Sequence, residues 1–210
     1  MLIFLDARFA YLATPKTGTT ATEAALRPRA DIAFQAGRKH MPARRFVTKV
    51  APFVSDAFGV NLATVAVMRA PVDQLRSWYR YRARDARAGD PRSTQGVSFA
   101  DFIEATLADD PPDYARVGSQ FRFFARRGDI VVDHIFAYET PDPFQAFLSE
   151  RLKTPVRFAK RNVSPDLDAD LPPQTEAKLR EARAAEFALY DRVVAAGGHL
   201  SKASASASGP

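Results

Sequence analysis

Apolar residues occur along this chain in two patterns. Some form short continuous runs, and others recur at helical spacing. Residues 1–5, 9–14 and 130–138 are short apolar runs, and residues 61–69 form a nearly continuous one. Such runs predict buried strands, and the run over 61–69 is typical of a parallel strand covered on both faces. Helical spacing of apolar residues predicts helices over 19–26, 42–58, 99–107, 118–126, 144–152 and 174–196, and one that begins at Pro71. Strands that alternate with helices indicate an α/β sheet flanked by helices.

One predicted strand runs into a helix through a short polar turn, Thr-Pro-Lys-Thr-Gly-Thr-Thr over residues 14–20. A threonine at 19 or 20 suits the start of the helix, and Glu23 is placed to complete a capping box. This geometry directs free backbone N–H groups and the positive helix end at one point, which suits an oxyanion. Lys16 adds a positive charge. Further donors come from Thr17, Gly18, Thr19 and Thr20.

The order of residues in this turn excludes the usual nucleoside-triphosphate loop. That loop has the pattern G-x-x-x-x-G-K-[ST], in which the lysine follows the last glycine. Here Lys16 precedes Gly18, which is the only glycine of the turn. Taken alone, the residues are also compatible with a capped strand-to-helix turn that binds nothing.

A second phosphate-binding pattern follows the run over 61–69. Arg69 ends that run, Pro71 begins the next helix, and Ser77 lies eight positions after the arginine. Open α/β sheets bind their ligands at the carboxyl ends of strands. Arginine offers a planar fork of donors to a phosphate, and serine adds a hydroxyl. A surface arginine with a buried or capping serine is the alternative.

Together the two motifs resemble those of sulfotransferases that use 3′-phosphoadenosine-5′-phosphosulfate (PAPS). The resemblance covers residues 9–26 and 62–81, and it points to compact soluble members of bacterial type, related to the carbohydrate sulfotransferases. It implies a P-loop-like, three-layer α/β fold with a mostly parallel sheet. It also implies PAPS as co-substrate, with no metal required. The family usually has Asp where this chain has Ala70, a position that does not bind the phosphate.

The resemblance also implies roles for single residues. Lys16 would contact the 5′-phosphosulfate and stabilise the leaving phosphate, while Arg69 and Ser77 would hold the 3′-phosphate. Residues 160–164 loosely resemble a late segment that lies near the nucleotide in relatives, which adds Arg161 to the cofactor-binding residues. A plain basic edge strand explains residues 160–164 equally well.

Two residues are candidates for the base that takes the acceptor proton. His40 lies in a basic loop between the two motifs, and histidine has a suitable intrinsic pKa. In several carbohydrate sulfotransferases a histidine in a similar position has this role. Glu23 is the rival because some relatives use a carboxylate, although a capping role competes. His134 lies in a predicted strand and His199 lies beside the tail, so neither is favoured.

Composition and charge narrow the class of protein. The 210 residues predict one domain over 1–198, followed by a disordered Ser/Ala tail over 199–210. The chain has no cysteine, which excludes disulfides, and its three histidines make no metal-ligand pattern. The first apolar run is too short for a signal peptide or a membrane span, so a soluble cytoplasmic protein is expected. The net charge of +6 favours anionic partners.

Three functions remain at this point. The favoured one is transfer of a sulfuryl group from PAPS to an acceptor hydroxyl, on a carbohydrate or a small metabolite. The second is a module that binds the product 3′,5′-bisphosphate (PAP) without catalysis. The third is a basic module that binds a polyanion, although no nucleic-acid motif is recognised. Acceptor choice would depend on the loops over 82–98 and 109–118, which do not identify the acceptor or the oligomeric state.

Overall fold

A six-stranded mixed sheet lies at the centre of the computed structural model, which describes residues 1–158 and 169–202. The strands are β1 (Leu2–Phe4), β2 (Phe9–Leu12), β3 (Ile32–Ala33), β4 (Ala63–Met68), β5 (Ala125–Arg126), β6 (Asp129–Ile130), β7 (His134–Ala137) and β8 (His199–Ser201). Their order across the central sheet is β3-β1-β2-β4-β7-β8, and β5 and β6 form a separate hairpin.

The middle of the sheet is parallel and its edges are antiparallel. β2, β4 and β7 run in the same direction, with Tyr11 opposite Val65 and Val65 opposite His134. β1 is antiparallel to both β2 and β3, and β8 is antiparallel to β7. The predicted α/β class is therefore confirmed. Because the three central strands point the same way, their carboxyl ends lie side by side at one end of the sheet.

Helices cover both faces of this sheet. The described α-helices are α1 (Thr19–Leu26), α2 (Ala43–Arg45), α3 (Ala51–Phe58), α4 (Pro71–Arg82), α5 (Phe99–Leu107), α6 (Gln120–Phe124), α7 (Pro141–Arg151), α8 (Pro173–Ala182) and α9 (Ala184–Ala195). Successive strand side chains point to opposite faces, so Leu12 packs with α2, α3, α6 and α9, and Tyr11 packs with α1 and α7. A third apolar cluster joins α4, α5 and α8. None of these helices is long and apolar enough to cross a membrane.

The helix predicted over 42–58 is present, with a π-helical segment, Phe46–Val50, between α2 and α3. Helical spacing of the apolar residues allows either Phe53 or Val54 on its inner face. Val54 is buried and Phe53 is 58% exposed, so the inner stripe runs through Val54.

A short hairpin, formed by β5 and β6 with a two-residue turn, replaces parts of two predicted elements. The helix over 118–126 ends at Phe124, and the strand over 130–138 is reduced to β7. Arg127 and Gly128 both have positive φ angles of 55° and 93°, which suits a tight turn between β5 and β6. Pairing within this hairpin takes up the residues on either side of the turn, so they join neither the helix nor the central strand.

The carboxyl-terminal region also differs from its prediction. The helix expected over 174–196 is divided into α8 and α9 at Arg183, whose φ and ψ of −117° and 29° are not helical. His199–Ser201 is not part of a disordered tail but forms the edge strand β8, because Leu200 pairs with Ile135 of β7. The rest of the predicted tail, residues 203–210, lies outside the described residues.

Candidate functional site

The turn after β2 has an unusual backbone. Lys16 and Gly18 have positive φ angles of 68° and 70°, a conformation that is uncommon for a residue with a side chain. A Cβ atom on Gly18 would lie 3.0 Å from the ring of Tyr138. Glycine is therefore needed at position 18 for both its φ angle and the close approach of that ring. The strain at Lys16 is of the kind that functional sites often contain.

The predicted capping box at the start of α1 is wrong. Gly18 is the N-cap and no side chain caps the helix. The Glu23 carboxylate instead contacts the Lys39 Nζ at 3.3 Å and the amine of Met1 at 3.5 Å. The first backbone N–H groups of α1 consequently keep their capacity to bind an anion.

The three candidate threonines of the turn have different environments. The Thr17 side chain is buried, and its hydroxyl donates to the Thr14 carbonyl at 2.9 Å. Thr19 is also buried, whereas Thr20 is exposed. Thr17 therefore stabilises the turn, and Thr20 is the one whose side chain faces solvent.

The ammonium group of Lys16 lies among aromatic rings and other cations. Its Nζ is 4.1 Å from the ring centroid of Tyr81 and 5.4 Å from that of Trp78. Burial, and after it repulsion from nearby arginines, together lower the pKa of Lys16 to about 8. In order of decreasing effect, these arginines are Arg84, Arg69, Arg87 and Arg82.

Arg69 lies against the same turn, as its place at the end of β4 predicts. Its Nη1 donates to the Lys16 carbonyl at 3.3 Å, and its guanidinium carbon is 4.7 Å from the ring centroid of Tyr138. Its Nε is buried and has no hydrogen-bond partner in the described part of the chain. The two motifs, which are 53 residues apart, thus meet at one site with an unused donor.

Gln120, on α6, holds the backbone of Arg69 from the opposite side. Its side-chain oxygen accepts the Arg69 N–H at 2.9 Å, and its amide nitrogen donates to the Arg69 carbonyl at 2.8 Å. The buried carboxylate of Glu186 accepts from the Gln120 backbone N–H at 2.9 Å and from its side chain at 3.3 Å. Sequence reasoning missed both residues, since neither is part of a local motif.

One face of α4 completes the site. Gln74, Ser77, Trp78 and Tyr81 follow the i, i+3, i+4, i+7 spacing of a single helix face. Gln74 donates to the Pro15 carbonyl at 3.3 Å, and the rings of Trp78 and Tyr81 lie near Lys16. Ser77 is therefore on the face that meets the turn, and only 9% of its surface is exposed. Helical spacing from Ser77 was a signal that could have found the other three.

The two candidate bases differ in what they contact. His40 Nδ1 lies 2.7 Å from the Ala13 carbonyl at the end of β2. A carbonyl only accepts, so Nδ1 carries the proton and the neutral ring has its lone pair on Nε2. Burial lowers the pKa of His40, which favours this neutral form. Glu23 contacts two cations instead.

The other two histidines lie together at the sheet edge. His134 Nδ1 is 3.1 Å from His199 Nε2, and the His199 ring stacks on Phe136 with centroids 4.1 Å apart. Their contacts are with β7, β8 and α7 and not with the turn. Arg161, the remaining predicted site residue, lies outside the described residues.

The acidic residues that the structure describes do not balance the charge of the site. Across residues 1–158 and 169–202, no carboxylate lies within ion-pair distance of Lys16, Arg69 or Arg84, while Arg87 and Arg92 share Asp90. The same residues contain no group of three or more His, Asp or Glu side chains suited to a metal ion. Such a cluster, with buried donors left over, is chemically suited to bind oxyanions.

Comparison with known proteins gives no family for this chain. No protein-family model matches it, and no curated protein matches it either. The function must therefore be argued from the site itself.

Proposed function

We propose that this chain is a PAPS-dependent sulfotransferase that transfers a sulfuryl group to an acceptor hydroxyl. The observation that carries the proposal is the contact between Arg69 and the Lys16 turn, because it joins two oxyanion-binding motifs at the ends of neighbouring parallel strands. PAPS has a 3′-phosphate and a 5′-phosphosulfate, so it carries anionic groups on both sides of one ribose. Two adjacent cationic sites suit such a ligand better than a single one would.

The proposed reaction assigns one task to each group. The acceptor oxygen attacks the sulfur of PAPS and forms the new S–O bond. The bond from sulfur to the 5′-phosphate oxygen breaks, and its electron pair leaves with that oxygen to give PAP. Lys16 and the N–H groups at the start of α1 stabilise the charge that develops there. The proton of the acceptor hydroxyl moves to Nε2 of His40.

Binding of PAP gives the direct test. PAP is expected to raise the melting temperature of the protein, since a ligand that binds only the folded state stabilises it. Replacing Arg69 with glutamine removes the phosphate fork and is expected to weaken PAP binding about 100-fold. Arg192→Gln is the matched control, because Arg192 is exposed and lies outside the site. Isothermal titration calorimetry measures both variants.

The outcomes separate the proposal from its alternatives. If PAP neither binds nor raises the melting temperature, the proposal is wrong. If PAP binds tightly but no hydroxyl acceptor is sulfated, a non-catalytic nucleotide-binding module becomes the better explanation. If Arg69→Gln and Arg192→Gln bind PAP equally well, the 3′-phosphate lies elsewhere.

PAP binding is also expected to weaken as the pH rises above about 8. In the free protein the pKa of Lys16 is about 8, and its ordinary value is 10.5. A bound anion favours the charged lysine, so binding raises this pKa and is coupled to uptake of a proton at pH values above about 8. The affinity is therefore full below pH 8 and falls by up to about tenfold per pH unit above it.

Calorimetry in buffers with different ionisation enthalpies measures this proton uptake. Lys16→Arg provides the control, because arginine keeps its charge throughout this pH range, and the pH dependence should disappear in this variant. An affinity of the unmodified protein that stays constant from neutral pH to pH 10 would contradict the role assigned to Lys16.

A further inference from the structure

A second concave surface lies outside the candidate site. It is a trough of about 1150 Å³ between residues 34–41, the α2–α3 helix and the β5–β6 hairpin. Its apolar lining comes from Phe34, Met41 and Val50, and none of its lining residues is acidic. Six cationic side chains define what we name the basic trough: Arg38, Arg44, Arg45, Lys49, Arg126 and Arg127.

Among the described residues, the charges of the basic trough have no acidic partners. In the described part of the chain, no carboxylate is within ion-pair distance of any of the six side chains, and all six are exposed. By contrast, other surface cations such as Arg116 and Arg180 have carboxylate partners at 2.8 Å. A concave surface lined by one sign of charge focuses its field outward and attracts a ligand of opposite sign.

The size and shape of the basic trough indicate what kind of anion fits it. Its volume exceeds the range of about 300–1,000 Å³ that is usual for small-molecule sites, and its cations come from three separate chain segments. A ligand that reaches all of them must carry several anionic groups along its length. A flexible chain can follow such a concave surface more closely than a flat membrane or a stiff duplex can.

The lining also distinguishes between two flexible polyanions. Single-stranded nucleic acid is usually held by exposed aromatic rings on which its bases stack. The aromatic residue of the lining is Phe34, which is half-buried and packs against the core. A carbohydrate chain needs no such platform, and its carboxylate or sulfate groups suit arginine. We propose that the basic trough binds a linear acidic polysaccharide.

The basic trough is lined by the chain neighbour of the candidate base. Met41 lines it and directly follows His40 in the chain, so the two Cα atoms are only about 3.8 Å apart. A polysaccharide in the trough would therefore bring its hydroxyl groups to the edge of the candidate site. The assignment of the bound polysaccharide as the sulfuryl acceptor rests on the proposed function. The proposal that a polysaccharide binds in the basic trough does not.

The binding test uses a short heparin oligosaccharide as the probe, without nucleotide. The triple variant Arg45→Gln, Lys49→Gln and Arg126→Gln is expected to bind it about tenfold more weakly than the unmodified protein, because each exposed charge pair contributes a modest factor. The control triple variant, Arg27→Gln, Arg29→Gln and Arg192→Gln, loses the same charge from exposed positions elsewhere. It should bind within about twofold of the unmodified protein, since distant charges are screened by salt.

Several outcomes would overturn the proposal. They are no binding of the probe at low salt, equal losses in the two triple variants, or tighter binding of a single-stranded DNA of equal charge. Binding of anionic vesicles that is lost only in the trough variant would replace the polysaccharide with a lipid surface.

A separate measurement tests whether the polysaccharide is the acceptor. The trough variant should keep the PAP affinity of the unmodified protein, while its KM for sulfation of a polysaccharide rises about tenfold and kcat stays the same. If the probe binds in the basic trough but is not sulfated with PAPS, the binding proposal stands and the polysaccharide is not the acceptor. If sulfation occurs with an unchanged KM, the acceptor follows another path.

Discussion

Replacement of Lys16 with methionine is expected to lower kcat for the proposed sulfuryl transfer about a thousandfold, which is typical for loss of one charged group at a reacting oxyanion. Methionine is of similar length and suits the half-buried position between Tyr81 and Trp78, but it cannot donate to the leaving phosphate. The loss should fall mainly on kcat, because the charge on the leaving oxygen develops only in the transition state. Steady-state kinetics with PAPS, followed by an assay for the sulfated acceptor, measure the change in kcat.

Stability provides the internal control for this variant. The pKa of Lys16 is lowered in the folded protein, so the charged lysine opposes folding at pH 7 and its removal should not destabilise the protein. Unfolding in urea should therefore give a free energy equal to or higher than that of the unmodified protein. Lys178→Met, at an exposed lysine paired with Glu104, should retain full activity. A Lys16→Met protein that is folded and fully active would remove Lys16 from the mechanism.

Replacement of Gln120 with leucine is expected to lower the free energy of unfolding by about 3 kcal/mol. Its side chain satisfies both the N–H and the carbonyl of Arg69 and also contacts Glu186. Leucine would leave these groups without partners in a buried region, at a cost of about 1–3 kcal/mol for each one. The melting temperature should fall by roughly 6–12 °C for a domain of this size. Calorimetry or urea unfolding measures the change.

The same variant should bind PAP more weakly, because the Gln120 side chain no longer holds the backbone of Arg69 in place. Gln35→Leu is the matched control, because Gln35 is exposed and its replacement should change stability by less than about 0.5 kcal/mol. Glu186→Gln keeps the shape of the network and should have a smaller effect than Gln120→Leu. If Gln120→Leu lowers stability by no more than the control, the Gln120 hydrogen bonds do not stabilise Arg69.

The sequence predicted the positions of Lys16 and Arg69 well for a simple reason. Each follows an apolar strand directly, and the carboxyl ends of parallel strands meet at one edge of a sheet. The contact between Arg69 and the Lys16 carbonyl follows from that rule. In the same way, α1 begins at Thr19 as its sequence indicates.

Glu23 shows where local reasoning stops. Its spacing from the turn suited a capping box, but Lys39 and the Met1 amine provide charged partners that lie far away in the sequence. An ion pair with two cations competes against a single backbone hydrogen bond, and the helix start is left to Gly18. All three residues can be read from the sequence, but the sequence does not show that the fold brings them into contact.

By itself, the sequence determined the α/β class, the two strand-to-helix turns and the excess of positive charge, because these depend on neighbouring residues and on composition. Only the tertiary structure decided which distant groups meet. Gln120 and Glu186 lie 66 residues apart, and His199–Ser201 becomes a strand only through its pairing with β7. Such contacts arise from the packing of whole elements, since a polar side chain in a buried region must find its partner wherever the fold brings one.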